Sequence, residues 1–141
     1  MYVVFYGTLM SSVPPRKGRE VQPELGRWFR FVRTVTVNAQ LMDTGLGYPG
    51  LIAGNRVVRA ELWECLDSAG LAELDVYERF DPEAMATSEY VRGEIEVADE
   101  ERTITAHTYW YNFDTSKMAV VESGSWLTHI NCDIGFAKDH H

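Results

Sequence analysis

Cysteine is scarce in this chain of 141 residues, which contains only Cys65 and Cys132. Two thiols are too few for a disulfide-rich extracellular scaffold. The sequence shows no basic leader followed by a small-residue cleavage site, so we expect a cytoplasmic protein with both thiols free. The two cysteines and four histidines lack the spacing typical of zinc ligands, and we expect no metal site. A nucleophilic Cys–His pair stays open, because such partners meet only in the folded protein.

Basic residues are in the minority, since 13 Lys and Arg face 21 Asp and Glu and the formal net charge is −8. This balance argues against the phosphate backbone of a nucleic acid, or an anionic membrane surface, as the main partner. No apolar run approaches the roughly 18 residues of a membrane-spanning helix. Neither a Gly-x-x-x-x-Gly-Lys phosphate loop nor a Gly-x-Gly-x-x-Gly fingerprint occurs, so nothing indicates a nucleotide cofactor.

What the chain does contain is enough apolar material for one core: 45% of its residues are hydrophobic. The length suits a single domain spanning residues 1–141. β-Branched and aromatic residues predict strands at residues 3–6, 31–41, 56–62, 90–97 and 103–111. Helices are predicted over residues 68–77 and from about 117 to 120, and a polar loop over 12–24. These patterns predict an α+β fold with antiparallel strands.

The first predicted strand ends abruptly at Gly7 and Thr8. Glycine permits unusual backbone dihedrals or a close approach by a ligand. Backbone N–H groups exposed at a strand end are a natural receptor for carboxylate or carbonyl oxygens. An ordinary strand-to-turn exit explains the same residues, so this segment needs a chemical partner elsewhere in the chain.

Several motifs occur together in an order that spans most of the chain. They are Tyr6-Gly7-Thr8-Leu9, Tyr48-Pro49-Gly50-Leu51, Ala60-Glu61-Leu62-Trp63, Leu74-Asp75-x-x-Glu78 and Glu89-Tyr90-Val91-Arg92. In this combination the chain resembles the gamma-glutamylcyclotransferase-like family, also called AIG2-like. The resemblance implies a small, mostly antiparallel closed β-barrel with flanking helices. We interpret residues 48–50 as an ordered turn at the pocket mouth.

The resemblance also implies an activity that needs neither metal nor cofactor. In a small-molecule gamma-glutamyl substrate, the free α-amine attacks its own γ-carbonyl and releases an amine and 5-oxoproline. Glu78 occupies the position of the general acid/base, and an exposed helix-end carboxylate is the alternative. The glutamyl cradle would consist of Tyr6, Gly7, Thr8 and Leu9, with Tyr90 as a further binding residue. Both tyrosines have the competing interpretation of buried aromatic residues.

Other questions stay open at this level. Asp75 lies on nearly the same helical face as Glu78 and either orients the site or, more simply, makes a structural hydrogen bond or cap. Arg92 pairs either with a carboxylate of the ligand or, more simply, forms a surface ion pair. Arg79 replaces a glycine common in the family, and the loop over 79–89 is longer than usual. The leaving amine is therefore not identified, and monomer and homodimer are both compatible with the sequence. A non-catalytic small-molecule-binding barrel and a gamma-glutamyl hydrolase are the alternative functions.

Overall fold

A computed structural model describes residues 1–7, 9–10 and 25–131 of the chain. Strands dominate this part, with two short helices between them. In chain order the elements are β1 (Tyr2–Phe5), α1 (Leu25–Trp28), β2 (Phe29–Asp43), β3 (Pro49–Cys65), α2 (Ala69–Tyr77), β4 (Tyr90–Asp99), β5 (Arg102–Tyr111) and β6 (Ala119–Val120). A 3-10 turn covers Met85–Thr87, and residues 126–131 are helical. Among the described helices, none has the length and apolar character needed to cross a membrane.

The strands form one curled sheet of six strands in the order β4-β5-β1-β3-β2-β6. β5 runs parallel to β1 and also pairs in parallel with the start of β3, whereas the other neighbours are antiparallel. The expectation of a closed, mostly antiparallel barrel is therefore only partly right. The observed sheet is mixed, because β5 pairs in parallel with β1 and β3. It is a half-barrel and not a closed barrel, because one of its edges, β6, has two residues and is too short to complete a seam.

The curl of the sheet arises within β3. Against β2, the pairing of β3 jumps from Ala39 with Arg56 to Gln40 with Ile52, so residues 53–55 bulge out of the ladder. Such bulges bend a strand and increase its local twist. On one side of the bulge β3 pairs with β1, and on the other side Leu51 pairs with Trp110 of β5. One bent strand therefore brings the ends of β1 and β5 together.

Most predicted elements are confirmed with shifted bounds, two predicted elements differ, and one observed element was not predicted. Residues 49 and 50 open β3 rather than forming a turn, because they pair with Asp43 and Met42 of β2. The helix predicted near residues 117–120 is wrong, since Ala119 and Val120 pair with the end of β2 as β6. The helical residues 126–131 have no counterpart in the prediction. The Cys65 thiol is free. The loop predicted over 12–24 and Cys132 lie outside the described residues.

The core explains why α2 has a fixed position. Leu71 and Leu74 of this helix are buried together with Val3 and Val4 of β1, and they belong to the same apolar cluster as Leu62 of β3. Burying a leucine or valine side chain contributes roughly 1.5–3 kcal/mol. The helix is thereby packed against the sheet, with its last residues close to the end of β1.

Candidate active site

A cavity of about 350 Å³, including the open space at its mouth, lies where β1 ends. Its walls come from β1 and the residues that follow it, from β3, from the end of α2, and from β4 and β5. The lining residues are Val4, Phe5, Tyr6, Gly7, Leu9, Pro49, Glu78, Tyr90 and Tyr109. The fold therefore brings together five of the six predicted site residues, Tyr6, Gly7, Leu9, Glu78 and Tyr90. Thr8, the sixth, lies outside the described residues.

Glu78 follows α2 directly and is only 7% exposed. Its backbone N–H donates to the carbonyl of Leu74 at 2.8 Å, so the helical turn continues as far as this residue. Arg79 then takes a positive φ of 56°, which turns the chain away from the helix. The carboxyl group is thus held in the cavity wall, and the alternative of an exposed helix-end carboxylate is wrong.

The chain leaves β1 at the cavity. The ladder between β1 and β3 ends with Phe5 opposite Glu61, and the two residues that follow Phe5 lie at the cavity wall. The Tyr6 hydroxyl donates to the carbonyl of Tyr109 at 2.5 Å. The Met10 N–H donates to the Gly7 carbonyl at 3.0 Å, which closes a turn after the strand. Tyr6 is therefore a buried aromatic residue with a bonded hydroxyl, and it also lines the cavity.

Gly7 is required by a close approach from within the protein. A Cβ atom at this position would lie 2.7 Å from Cγ and 3.0 Å from Cδ of Pro49. Real Cβ contacts are longer, so a side chain here would push Pro49 away from the cavity wall. The sequence signalled a close approach at Gly7, but the neighbour is a proline ring of β3.

We expect Gly7→Ala to reduce the free energy of unfolding by about 1–3 kcal/mol, because one inserted methyl group must displace Pro49. Urea denaturation followed by circular dichroism measures this change. Gly26→Ala is the matched control, since a Cβ at Gly26 meets nothing within 4 Å. Equal stabilities for the two alanine variants would show that Pro49 does not restrict position 7.

Tyr90 forms a rigid part of the wall and is 1% exposed. Its hydroxyl donates to the carbonyl of Pro49 at 2.5 Å. Its ring packs edge-on against Tyr111, with 5.3 Å between ring centroids. Both observations fit the buried-aromatic interpretation, while the position in the cavity lining keeps Tyr90 within reach of a ligand. The residue therefore shapes the cavity.

Four lining residues are not among the predicted catalytic or binding residues: Val4, Phe5, Pro49 and Tyr109. Of these, Pro49 belongs to the segment 48–50 that the sequence predicts at the pocket mouth. Tyr109 was recognisable as a polar aromatic on one face of the alternating strand β5. Its hydroxyl donates to Oδ1 of Asp75 at 2.6 Å. Burial raises the pKa of Tyr109 well above its ordinary value, and the hydrogen bond and negative charge of Asp75 raise it further. The Tyr109 hydroxyl therefore stays protonated and acts as a donor, and it cannot serve as a base near neutral pH.

Asp75 and Arg92 form an ion pair behind this tyrosine. Nη1 of Arg92 lies 3.3 Å from Oδ2 of Asp75, whose side chain is 14% exposed. The structural role predicted for Asp75 agrees with these contacts. Arg92 therefore pairs with a carboxylate of the protein, which agrees with the interpretation of an ion pair within the protein.

A family model matches most of the chain. Residues 3–128 match the model of the family described as gamma-glutamyl cyclotransferase, AIG2-like. No functionally curated protein matches the sequence. Several solved structures have similar folds, although their sequences are distant.

Three of these structures span nearly the same length as the chain. The solution structure of the protein ytfP from Escherichia coli is 26% identical, with a TM-score of 0.61 and coverage of 90% of this chain and 96% of that one. A protein specific to uropathogenic Escherichia coli is 22% identical, with a TM-score of 0.65 and coverage of 92% and 94%. An AIG2-like protein from Mus musculus is 18% identical, with a TM-score of 0.59 and coverage of 82% and 88%.

The last two of these likenesses concern the fold alone, because their sequence identities are low. The family match carries more weight, since it runs from β1 into the helical residues 126–131 and includes every described residue that lines the cavity. The chain therefore belongs to the gamma-glutamyl cyclotransferase, AIG2-like family.

Proposed function

We propose that this protein is a gamma-glutamylcyclotransferase-type enzyme that releases an amine and 5-oxoproline from a gamma-glutamyl-amine. The observation that carries the proposal is the nearly buried carboxyl group of Glu78, which shares one cavity with the residues that follow β1. Burying a carboxyl group costs free energy. Such a group at a cavity wall, beside a strand end, is well suited to proton transfer.

The reaction forms one C–N bond and breaks another within the same substrate. The α-nitrogen attacks the γ-carbonyl carbon, and the bond from that carbon to the leaving amine breaks. Glu78 acts first as a base, taking a proton from the α-ammonium group to produce a nucleophilic amine. It then acts as an acid and gives that proton to the departing nitrogen. The second proton, which the α-nitrogen loses as the lactam forms, also ends on the released amine, so the products are 5-oxoproline and the protonated amine and no further reactant is needed.

The rest of the cavity binds and bends the glutamyl arm. Because nucleophile and electrophile belong to one molecule, holding them in attack geometry supplies much of the rate. In this proposal, the backbone N–H groups of Tyr6 and Gly7 bind the α-carboxylate and the oxygen that becomes negative during attack. Leu9, Pro49 and Tyr90 provide the walls. Thr8 is included in the proposed cradle because it belongs to the family motif Tyr6-Gly7-Thr8-Leu9.

The proposal predicts 5-oxoproline as the product from a panel of gamma-glutamyl-amines, detected by mass spectrometry with one equivalent of free amine. An α-N-acetylated substrate is the control, because acetylation removes the nucleophilic amine and should abolish turnover. Glutamate as the product, together with cleavage of the acetylated compound, would identify a gamma-glutamyl hydrolase instead. Binding without any product would favour the non-catalytic barrel.

A further inference from the structure

The charge pair behind the cavity connects α2 to two strands at once. The Tyr109 hydroxyl donates to one oxygen of Asp75 at 2.6 Å, and Arg92 lies 3.3 Å from the other oxygen. Arg92 and Tyr109 stand directly opposite each other in the register of β4 and β5. Asp75 therefore bridges a cross-strand pair with a single carboxylate. This is the kind of two-sided contact that fixes both the position and the rotation of a helix.

The same connection reaches both sides of the cavity. Asp75 lies one helical turn before Glu78, so any rotation of α2 about its axis moves both carboxyl groups. On the other side, the backbone carbonyl of Tyr109 accepts the hydroxyl hydrogen of Tyr6, which follows β1. Tyr109 thus contacts the helix that carries Glu78 and the segment proposed to hold the glutamyl group.

We propose that Asp75 is a positioning residue, which holds Glu78 in the cavity by bridging Arg92 and Tyr109. This inference rests on the proposed function, in which Glu78 transfers the proton. Asp75 itself does not line the cavity. It acts through the helix and through Tyr109.

The bridge also places two opposite charges near Glu78. The ionisable groups near Glu78 come from its own segment, the cavity wall and the ion pair: Asp75, Tyr77, Arg79, Tyr6, Tyr90, Tyr109 and Arg92. The electrostatic effects of Asp75, Arg92 and Glu78 all reach the Tyr109 hydroxyl. Removing the charge of Asp75 should therefore favour the ionised form of Glu78, whereas removing the charge of Arg92 should disfavour it.

The test compares Asp75→Asn, Arg92→Met and the double variant through the pH dependence of kcat/KM. Asparagine keeps an acceptor for Tyr109 but loses the charge. We expect the acidic limb of the profile to shift by about half a pH unit to lower pH in Asp75→Asn and to higher pH in Arg92→Met. The double variant should return close to the original profile. If the substitutions only loosened the fold, the acidic limbs of both single variants would instead shift in the same direction.

Tyr109→Phe isolates the hydrogen bond, since it changes no charge. We expect kcat to fall about 10- to 100-fold with KM within about threefold, because a small displacement of the general acid/base impairs the chemical step more than binding. The charge controls are Glu122→Gln and Arg56→Met. These residues form an exposed ion pair away from the cavity, and their variants should leave the pH profile unchanged.

A measurement without substrate separates this inference from the proposed function. NMR titration of ¹³C-labelled glutamate carboxyls reports the protonation of Glu78 directly, with Glu78→Gln used to assign its signal. Opposite shifts in the two single variants would support the charge bridge even if no gamma-glutamyl-amine were turned over. Unchanged titration of Glu78 in both folded variants would overturn the inference, whether or not the wild-type protein is active.

Discussion

Glu78→Gln is expected to lower kcat for 5-oxoproline release by at least about 100-fold, the loss typical of removing a general acid/base. Glutamine has nearly the same shape as glutamate but cannot take up and return a proton at neutral pH. KM should stay within about threefold, because the backbone groups after β1 that are proposed to bind the glutamyl arm are untouched. Initial rates measured by mass spectrometry over a range of substrate concentrations separate the two constants.

The fold should tolerate this substitution. Glu78 is nearly buried, and a neutral amide costs less to bury than a carboxylate. We therefore expect the free energy of unfolding of Glu78→Gln to equal or exceed that of the wild type. A large loss of activity without loss of stability separates a catalytic role from a structural one.

Glu83→Gln is the matched control for this prediction. Glu83 is an exposed residue five positions further along, and its side chain does not line the cavity. Its substitution changes the net charge by the same amount and should leave kcat unchanged. If Glu78→Gln kept more than about a tenth of the wild-type rate, the assignment of Glu78 as the proton-transfer group would be wrong.

The sequence predicts the strands well because their signal is local. The run Val3-Val4-Phe5 and the alternation in residues 103–111 reflect the pleat of a half-buried sheet, which any window of a few residues reveals. The helix ending at Tyr77 is similarly local. Glu78 could be singled out among 21 acidic residues only through the family motif, because burial of a carboxyl group leaves no mark on the residues beside it.

The remaining features depend on contacts between distant parts of the chain. β6 is a strand because it lies beside the end of β2, although its two residues carry little strand signal of their own. Pro49 enters the cavity wall because β3 bends at residues 53–55, and this bend also makes the sheet mixed rather than uniformly antiparallel. The bridge from Asp75 to Tyr109 spans 34 residues. The periodicity of the sequence does not reveal contacts between residues so far apart in the chain.

Gly124→Ala is expected to have the largest effect on stability, with a loss of at least about 3 kcal/mol in the free energy of unfolding. A Cβ at this position would lie 2.1 Å from the carbonyl oxygen of Val57. In addition, Gly124 has a φ of +69°, a left-handed conformation that costs a non-glycine residue roughly 1–2 kcal/mol. The methyl group therefore meets both a backbone clash and an unfavourable dihedral.

Relaxation is costly here because the clashing atom belongs to the backbone of the central strand β3. Val57 is paired with Asn38 of β2, and the next residue, Val58, is fully buried. The N–H of Arg59 donates to the carbonyl of Gly124 at 2.7 Å, which holds the two segments together. Moving Gly124 away would lengthen that bond, and moving β3 would disturb the ladder with β2. Either response loses a backbone hydrogen bond in a packed region.

Gly45→Ala separates the two contributions. Gly45 also has a positive φ, of 80°, but a Cβ there meets nothing within 4 Å. This variant should lose only the conformational part, about 1 kcal/mol, whereas Gly124→Ala should melt on the order of 10 °C below the wild type. Thermal and urea denaturation of both variants measures the difference. Similar losses in the two proteins would mean that the chain near Gly124 can move away from β3 without cost, and that the contact with Val57 does not hold this segment in place.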